Sequence, residues 1–353
     1  MFKLKENYFL RVKKHSPTRF WINNPTPGEA DKAIAAGAIG CTTNPTYAMK
    51  QILIDDEKDY VLHVVDEVIK DIKDNNEACN LIQQRLVKRI LDKFFPLYKK
   101  NPGKEGFVSI QGNPFADDNP DYIVNEALQY RKLGKNFIAK IPATKAGLKA
   151  LENLIPENMP IIITEVMGIA QAVYTCEVYQ RVSKECGKHP PFYLTHITGI
   201  FDDHLRNVVK RDNIDISPDI LWQAGCILAR KQYKIFKERE YSGTMLGGGA
   251  RGLHHFTEMV GSEMHITINW IGTADKLIEA DPPVVYRMFN PAPPKVVDEL
   301  LEKIPDFRRA YMEEGLSVDE FEDFGPVALF RDSFVKGWTY MLKTIKERRV
   351  KIS

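Results

Sequence analysis

Lys140 stands inside Phe137-Ile138-Ala139-Lys140-Ile141-Pro142, a run that is otherwise apolar. An ammonium group left charged and unpaired in such a setting costs several kcal/mol. Burial drives it towards the free amine, which attacks carbonyl carbon, and lysines that form Schiff bases are made this way. A lysine facing outward at a strand edge, or paired with a carboxylate, fits the same pattern, so the run alone leaves both readings open.

Two further groups of residues have chemical potential. Thr42-Thr43-Asn44-Pro45-Thr46 follows the apolar Ile39-Gly40-Cys41 and offers groups that bind hydroxyls; Asn44 before Pro45 is equally a helix N-cap. Gly247-Gly248-Gly249-Ala250-Arg251-Gly252 fits G-x-G-x-x-G. A dinucleotide site wants that motif in the first strand–helix–strand unit, and here it comes late. Backbone N–H groups around Gly249 and the guanidinium of Arg251 suit phosphate instead, with a tight turn and a solvated arginine as the alternative. His196 and the pair His254-His255 have no His, Asp or Glu cluster at ligand spacing, so no metal is expected. Cys41, within a strand pattern, reads as core.

These groups need a frame. Eight β-like runs alternate with helical patterns: Thr18 to Asn23, Ile39 to Thr43, Phe107 to Gln111, Phe137 to Pro142, Pro160 to Thr164, Phe192 to His196, Thr244 to Gly247 and Met264 to Ile268. Thr26-Pro27-Gly28-Glu29 reads as a capping box opening a helix to Ala36, stopped by Gly37. Further helices are expected through Leu62, Val65, Ile69 and Ile72, over Asn76 to Phe95, Pro120 to Leu133, up to Leu154, Ile169 to Val182, Pro218 to Glu238, and Leu253 to Val260. Eight β/α units over about 250 residues are the arithmetic of a (β/α)8 barrel. A doubly wound open sheet, the runner-up, usually needs fewer strands and a reversal of strand order. The expected organisation is one domain over 1–353, with the barrel at about 17–280 and a helical extension over about 281–353. Phe330, Phe334, Trp338 and Met341 share a face of the last helix, suited to packing on the barrel or on a partner subunit. Catalytic groups of such barrels sit at the C-terminal ends of strands, which selects Asn23, Thr43-Asn44, Gln111, Lys140, Thr164, Thr195-His196 and the loop from Gly247 to Gly252.

Composition removes several classes. The 353 residues carry 49 Lys+Arg against 47 Asp+Glu, a net charge of +2, so no basic stripe marks a nucleic-acid binder. With 44% hydrophobic residues the chain is not disordered, and no apolar stretch is long enough to span a membrane. Met1 to Glu6 has no apolar signal core. The five cysteines are odd in number and form no C-x-x-C pair, which fits reduced thiols in a cytoplasm.

Gly40-Cys41-Thr42-Thr43-Asn44-Pro45-Thr46 resembles the T-T-N-P-S signature of transaldolases. Phe137 to Thr144, with Gly147-Leu148, resembles the segment holding that family's Schiff-base lysine, and both motifs fall in the family's order. Fainter similarity continues through Ile163-Thr164, Ala170-Gln171-Ala172, Thr195 to Gly199 and Gly248 to Arg251. The stretch from Phe324 to Trp338 is similar to the tail of larger transaldolase-like proteins. The resemblance implies a (β/α)8 barrel with no metal and no organic cofactor. It implies that Lys140 attacks the ketone of a ketose phosphate and that bound dihydroxyacetone passes to an aldehyde. By the same resemblance Thr164 helps hold a catalytic water, Asn44 binds donor hydroxyls, and Thr195 and Arg251 lie near the phosphate.

The departures from that pattern are chemical. The family's strand-1 aspartate aligns with Asn23, its strand-3 glutamate with Gln111, its strand-5 asparagine with Ile162 and its phosphate arginine after strand 6 with Ile200. An amide cannot exchange protons as a carboxylate does, although the fructose-6-phosphate aldolase branch also uses glutamine at the strand-3 position. Among acids that could substitute, Asp202 and Asp203 are expected in a loop after strand 6 and within reach, whereas strand alternation points Glu165 away from the Thr164 side. Three readings follow. One is a Schiff-base transaldolase or aldolase acting on a sugar or sugar phosphate, in a possible homo-oligomer. The second is a barrel that binds sugar phosphate without turnover. The third is a nicotinamide-dependent oxidoreductase using Gly247 to Gly252.

Overall fold

Eight parallel strands close into a barrel in sequence order: β1 (Arg19–Asn23), β2 (Cys41–Thr42), β3 (Val108–Ile110), β4 (Phe137–Pro142), β5 (Ile161–Val166), β6 (Phe192–Ile197), β7 (Thr244–Gly248) and β8 (His265–Ile268). β1 pairs with both β2 and β8, which completes the closure. The computed structural model describes residues 6–352; Met1 to Lys5, read above for a signal core, and Ser353 lie outside the described residues.

The helices are α1 (Tyr8–His15), α2 (Pro27–Ala36), α3 (Tyr47–Ile52), α4 (Asp55–Asp71), α5 (Asn75–Lys100), α6 (Pro120–Tyr130), α7 (Lys145–Leu154), α8 (Ile169–Cys186), α9 (Thr198–Asp212), α10 (Pro218–Leu221), α11 (Ala224–Glu238), α12 (His254–Thr257), α13 (Asp275–Ala280), α14 (Pro294–Lys303), α15 (Pro305–Tyr311) and α16 (Gly325–Ile352). The signal at Thr26 is a complete capping box, and Gly37 ends α2 in the left-handed region at φ 106°.

Pleating sorts the barrel interior into layers. Trp21, Phe107, Ile138, Ile162, Tyr193 and Leu246 form a buried apolar layer, with the Trp21 indole N–H donating to His265 Nδ1 at 3.0 Å. Two residues further along each strand stand Asn23, Ser109, Lys140, Thr164, Thr195 and Gly248. The alternation thus places polar groups directly above a dry floor, at the C-terminal ends of the strands. Ile162 belongs to the floor.

Phe330, Phe334, Trp338 and Met341 are buried on one face of α16. That helix packs against α3, α4, α5, α9 and β5, and the Trp338 indole N–H donates to Asn76 Oδ1 at 3.0 Å. It therefore crosses the end of the barrel where the polar layer opens.

Several elements differ from the sequence expectation. The helix expected over Pro218 to Glu238 is broken into α10 and α11, and α3 was not anticipated. α9 starts directly after β6, so Asp202 and Asp203 are helical and not in a loop. Gly199, in the first turn of α9, allows a close approach, because a Cβ there would clash with the Gly249 carbonyl oxygen. Asn44 is not the N-cap of α3, which is Thr46; the Asn44 carboxamide oxygen accepts from the Thr46 N–H at 3.1 Å and its hydroxyl at 2.6 Å.

Candidate active site

A cavity of about 560 Å³ opens above the polar layer. Seven of the nine residues expected at the site line it: Asn23, Asn44, Lys140, Thr164, Thr195, Gly249 and Arg251. The other two stand behind the wall. Thr43 is fully buried; its hydroxyl donates to the Ser109 carbonyl at 2.6 Å and its own carbonyl faces Lys140. Gln111 lines a smaller pocket that adjoins Lys140.

Lys140 is 7% exposed, and its Nζ has one hydrogen bond, a long one of 3.4 Å to the Thr43 carbonyl. Among the described residues no carboxylate forms an ion pair with it. The Phe334 ring of α16 lies 6.0 Å from Nζ, at the outer limit of a cation–π contact. Burial lowers its pKa to about 8, a fall opposed by the charge of Glu165 and helped by Lys50. The amine is therefore accessible near neutral pH, which is what nucleophilic attack requires.

Around it are hydroxyl and amide groups. The Thr42 hydroxyl bridges Asn23 Oδ1 at 3.0 Å and the Thr267 hydroxyl at 2.7 Å, and Asn23 Nδ2 donates to Asn269 Oδ1 at 2.9 Å. Asn23 is thus held by amide and hydroxyl partners, with no carboxylate in its network among the described residues. Thr164 Oγ1 and Thr195 Oγ1 are buried without a hydrogen-bond partner among the described residues.

β5 does not alternate to its end. Ile163 pairs with Leu194 and Val166 with His196, so Thr164 and Glu165 together oppose Thr195 in a β-bulge. Glu165 takes φ 65°, the left-handed region, which turns its carboxyl back across β4 to Gln111. Gln111 Nε2 donates to Glu165 Oε1 at 2.8 Å. The bulge breaks the strict period from which the orientation of Glu165 was read; its carboxyl does not line the cavity as Thr164 does, but bonds Gln111 behind the wall. Gln171 of α8 holds the bulge, accepting from the Met167 N–H at 2.8 Å while its Nε2 donates to the carbonyls of Ala143 and Glu165 at 3.0 and 3.3 Å. Burial raises the Glu165 carboxyl to about 7; the Asp117 charge adds to the rise, while the Gln111 bond and the charges of Lys140 and Arg331 oppose it.

The rim of the cavity is cationic. Lys50, Arg206, Arg251 and Lys336 line it with one acid, Asp203, which accepts from Arg251 Nε at 2.6 Å and Arg206 at 2.5 Å. Ile200 also faces the cavity, so α9 brings charge from Arg206, nearly two turns later. Asp202 does not reach the cavity; it bonds His255 Nε2 at 2.8 Å and accepts from the Gly225 N–H at 2.7 Å. Lys50, Arg206, Lys336 and Thr267 were missed by sequence reasoning. The strand-end rule would have found Thr267; Lys336 carried no local signal, because α16 reaches the barrel from the far end of the chain.

His196 is buried and bonds the Gly225 carbonyl at 3.2 Å. Cys226, His254 and His255 bring potential ligand atoms within 4.8 Å of one another. Both ring nitrogens of His255 are already engaged, Nδ1 by the Arg251 N–H at 2.9 Å and Nε2 by Asp202, and burial pushes the Cys226 thiol well up. The trio thus lacks three free donors.

A family model described as transaldolase/fructose-6-phosphate aldolase matches residues 20–307. A transaldolase of Campylobacter jejuni (strain RM1221) is 30% identical over 143 residues, 39% of this chain and 41% of that protein. Transaldolase 2 of Nostoc punctiforme is 26% identical over 195 residues, 50% of this chain and 48% of that protein. A transaldolase of Mycobacterium ulcerans is 22% identical over 212 residues, 57% of this chain and 55% of that protein. The matched stretch spans about half the length of these curated relatives. Among the described residues, no helix is long and apolar enough to cross a membrane.

Proposed function

The chain belongs to the transaldolase/fructose-6-phosphate aldolase family, and from that premise we propose that Lys140 attacks the ketone of a phosphorylated ketose. The carbinolamine loses water to give an iminium on Nζ. Retro-aldol cleavage then releases an aldehyde, and the bound dihydroxyacetone unit is passed to another aldehyde or freed by hydrolysis. The observation that carries this reading is Lys140 itself: an amine buried near a strand end, its pKa lowered, with no ion-pair partner among the described residues.

The remaining groups have matching tasks. Asn23, Thr42 and Asn44 receive the donor's hydroxyls. Thr164 and Thr195 supply hydroxyls beside the reacting carbon, where both have bonding capacity to spare. The phosphate is met at the far side by Arg251, Arg206 and Lys336, with backbone from Gly249, in the loop that such barrels use for phosphate. Thr43 and Gln111 act from behind the wall on Lys140.

Borohydride trapping read by peptide mass spectrometry tests this. The protein is incubated with fructose 6-phosphate, sedoheptulose 7-phosphate, unphosphorylated ketoses and dihydroxyacetone in parallel. A dihydroxyacetone-sized adduct on Lys140, absent from Lys140→Met, is the expected result. No adduct from any donor in the folded protein overturns the proposal and favours a barrel that binds without turnover.

A further inference from the structure

Glu165 has no place in the steps above, yet it is kept near the site at a cost in backbone strain and burial. A non-glycine residue held in the left-handed region costs about 1–2 kcal/mol, and such strain persists only where surroundings over-determine it. Here the Gln171 clamp does so. The side chain is fully buried; one carboxyl oxygen bonds Gln111 and the other, Oε2, has no hydrogen-bond partner among the described residues. Gln111 Oε1 is likewise unpartnered. A bulge, a positive φ and a buried half-satisfied carboxyl converge on the two strands that flank Lys140.

We propose that Glu165 is the proton-holding partner of Lys140, giving up its proton as the lysine becomes a cationic iminium and taking it back on hydrolysis. This rests on the Schiff-base reading of Lys140. The balance closes without any other reactant. Neutral carboxyl, free amine and ketone become carboxylate, iminium and water. The bond formed is Lys140 Nζ to carbon; the bond broken is the carbinolamine carbon to oxygen; and the departing hydroxyl leaves as water with the proton that Glu165 surrendered. The new carboxylate is the buried counter-ion of the iminium.

The charges facing this pair are few. Lys50 of α3 bears on Lys140. Asp117, between β3 and α6, and Arg331 of α16 bear on Glu165 in opposite senses, the Asp117 charge more strongly, and Arg331 Nη2 bonds Asp117 at 2.7 Å. Gln111, the contact on β3, is neutral. Burial is the largest influence on both groups; Glu165 is the leading charge on Lys140, while Asp117 and the Gln111 bond act on Glu165 ahead of Lys140.

The test is the rate of borohydride-trappable imine formation on Lys140 against pH, with turnover measured alongside. Wild type is expected to show an ionisation near neutrality. Glu165→Gln, nearly isosteric, is expected to lose that limb and to drop kcat by about 100-fold or more, within the range of general acid–base effects, while KM moves little. The double variant Gln111→Glu with Glu165→Gln returns a carboxyl to the same hydrogen-bonded pair and is expected to restore the limb and at least a tenth of the rate. Adduct formation in Glu165→Gln at the wild-type rate, with an unchanged profile, overturns the role of Glu165 and leaves that of Lys140 standing. No adduct in wild type overturns both. Should Glu165→Gln fail to fold, the wild-type profile decides, and one flat between pH 5.5 and 8.5 overturns the proposal.

Discussion

Removing the amine of Lys140 should stabilise the protein, and the gain should depend on pH. Burial takes Lys140 from 10.5 to about 8. At about 1.4 kcal/mol for each pH unit, that fall corresponds to about 3 kcal/mol of cost in holding the ammonium inside the fold. For a base whose folded value lies below its unfolded one, the folded state binds fewer protons between the two values, so the cost is full below about 8 and fades towards 10.5. Methionine occupies similar volume without a charge. Lys140→Met is thus expected to be about 3 kcal/mol more stable than wild type at pH 6, and about 1 kcal/mol more stable at pH 9.5. Glu165, raised to about 7, is neutral in both proteins at the first pH and ionised in both at the second. It therefore largely cancels from the comparison. Urea unfolding followed by tryptophan fluorescence at the two pH values measures both gains, provided the urea dependence of the two proteins matches. A variant that is less stable at pH 6, or whose gain does not change with pH, refutes the claim that Lys140 is a desolvated amine.

Arg206→Ala should raise KM for phosphorylated donors about tenfold or more, the equivalent of about 1.5–3 kcal/mol for a charge-assisted bond, and leave unphosphorylated ketoses unaffected; equal losses for both would remove Arg206 from the phosphate. Arg331→Met takes away a cation that favours the Glu165 carboxylate and unpairs Asp117, so the acid limb of imine formation should move to higher pH. An unmoved limb would show that these charges do not reach the site, and a shift to lower pH would contradict their sign. Trp338→Ala should cost about 3–5 kcal/mol, because a fully buried indole and its bond to Asn76 both go; a loss under about 1 kcal/mol in chemical unfolding would mean that α16 is not held there.

Much of this architecture was legible because period and position are local. Phe137 to Pro142 was a strand by composition, and its lysine was conspicuous because nothing around it was polar. Phe330, Phe334, Trp338 and Met341 declared a buried helical face by spacing alone. What was hidden depends on events that sequence does not mark. A bulge adds one residue to a strand without changing its composition, so Thr164-Glu165 read as ordinary alternation and the bond between Glu165 and Gln111 went unforeseen. Nothing in a glutamate announces φ 65°. Lys336 was invisible for a different reason: its neighbours in sequence are an amphipathic helix, and only the crossing of α16 over the barrel end brings it to the cavity.

Two of the sequence departures that looked like losses are, on this reading, displacements. β3 and β5 both border β4, so their C-terminal ends bracket Lys140 from either side. A carboxyl can therefore reach the same small volume from either strand, provided its partner strand supplies the hydrogen bond; here Gln111 donates and Glu165 accepts. From β5 the approach needs the bulge, because strict alternation gives the inward place to Thr164. The same logic applies at the rim, where Ile200 faces the cavity and Arg206 of the same helix brings the guanidinium. A closed barrel constrains where charge must end up more tightly than which strand delivers it. An alignment that asks for a carboxylate on β3 and an arginine directly after β6 registers two absences, whereas the fold supplies a carboxyl behind the cavity wall, on Glu165, and a guanidinium at its rim, on Arg206.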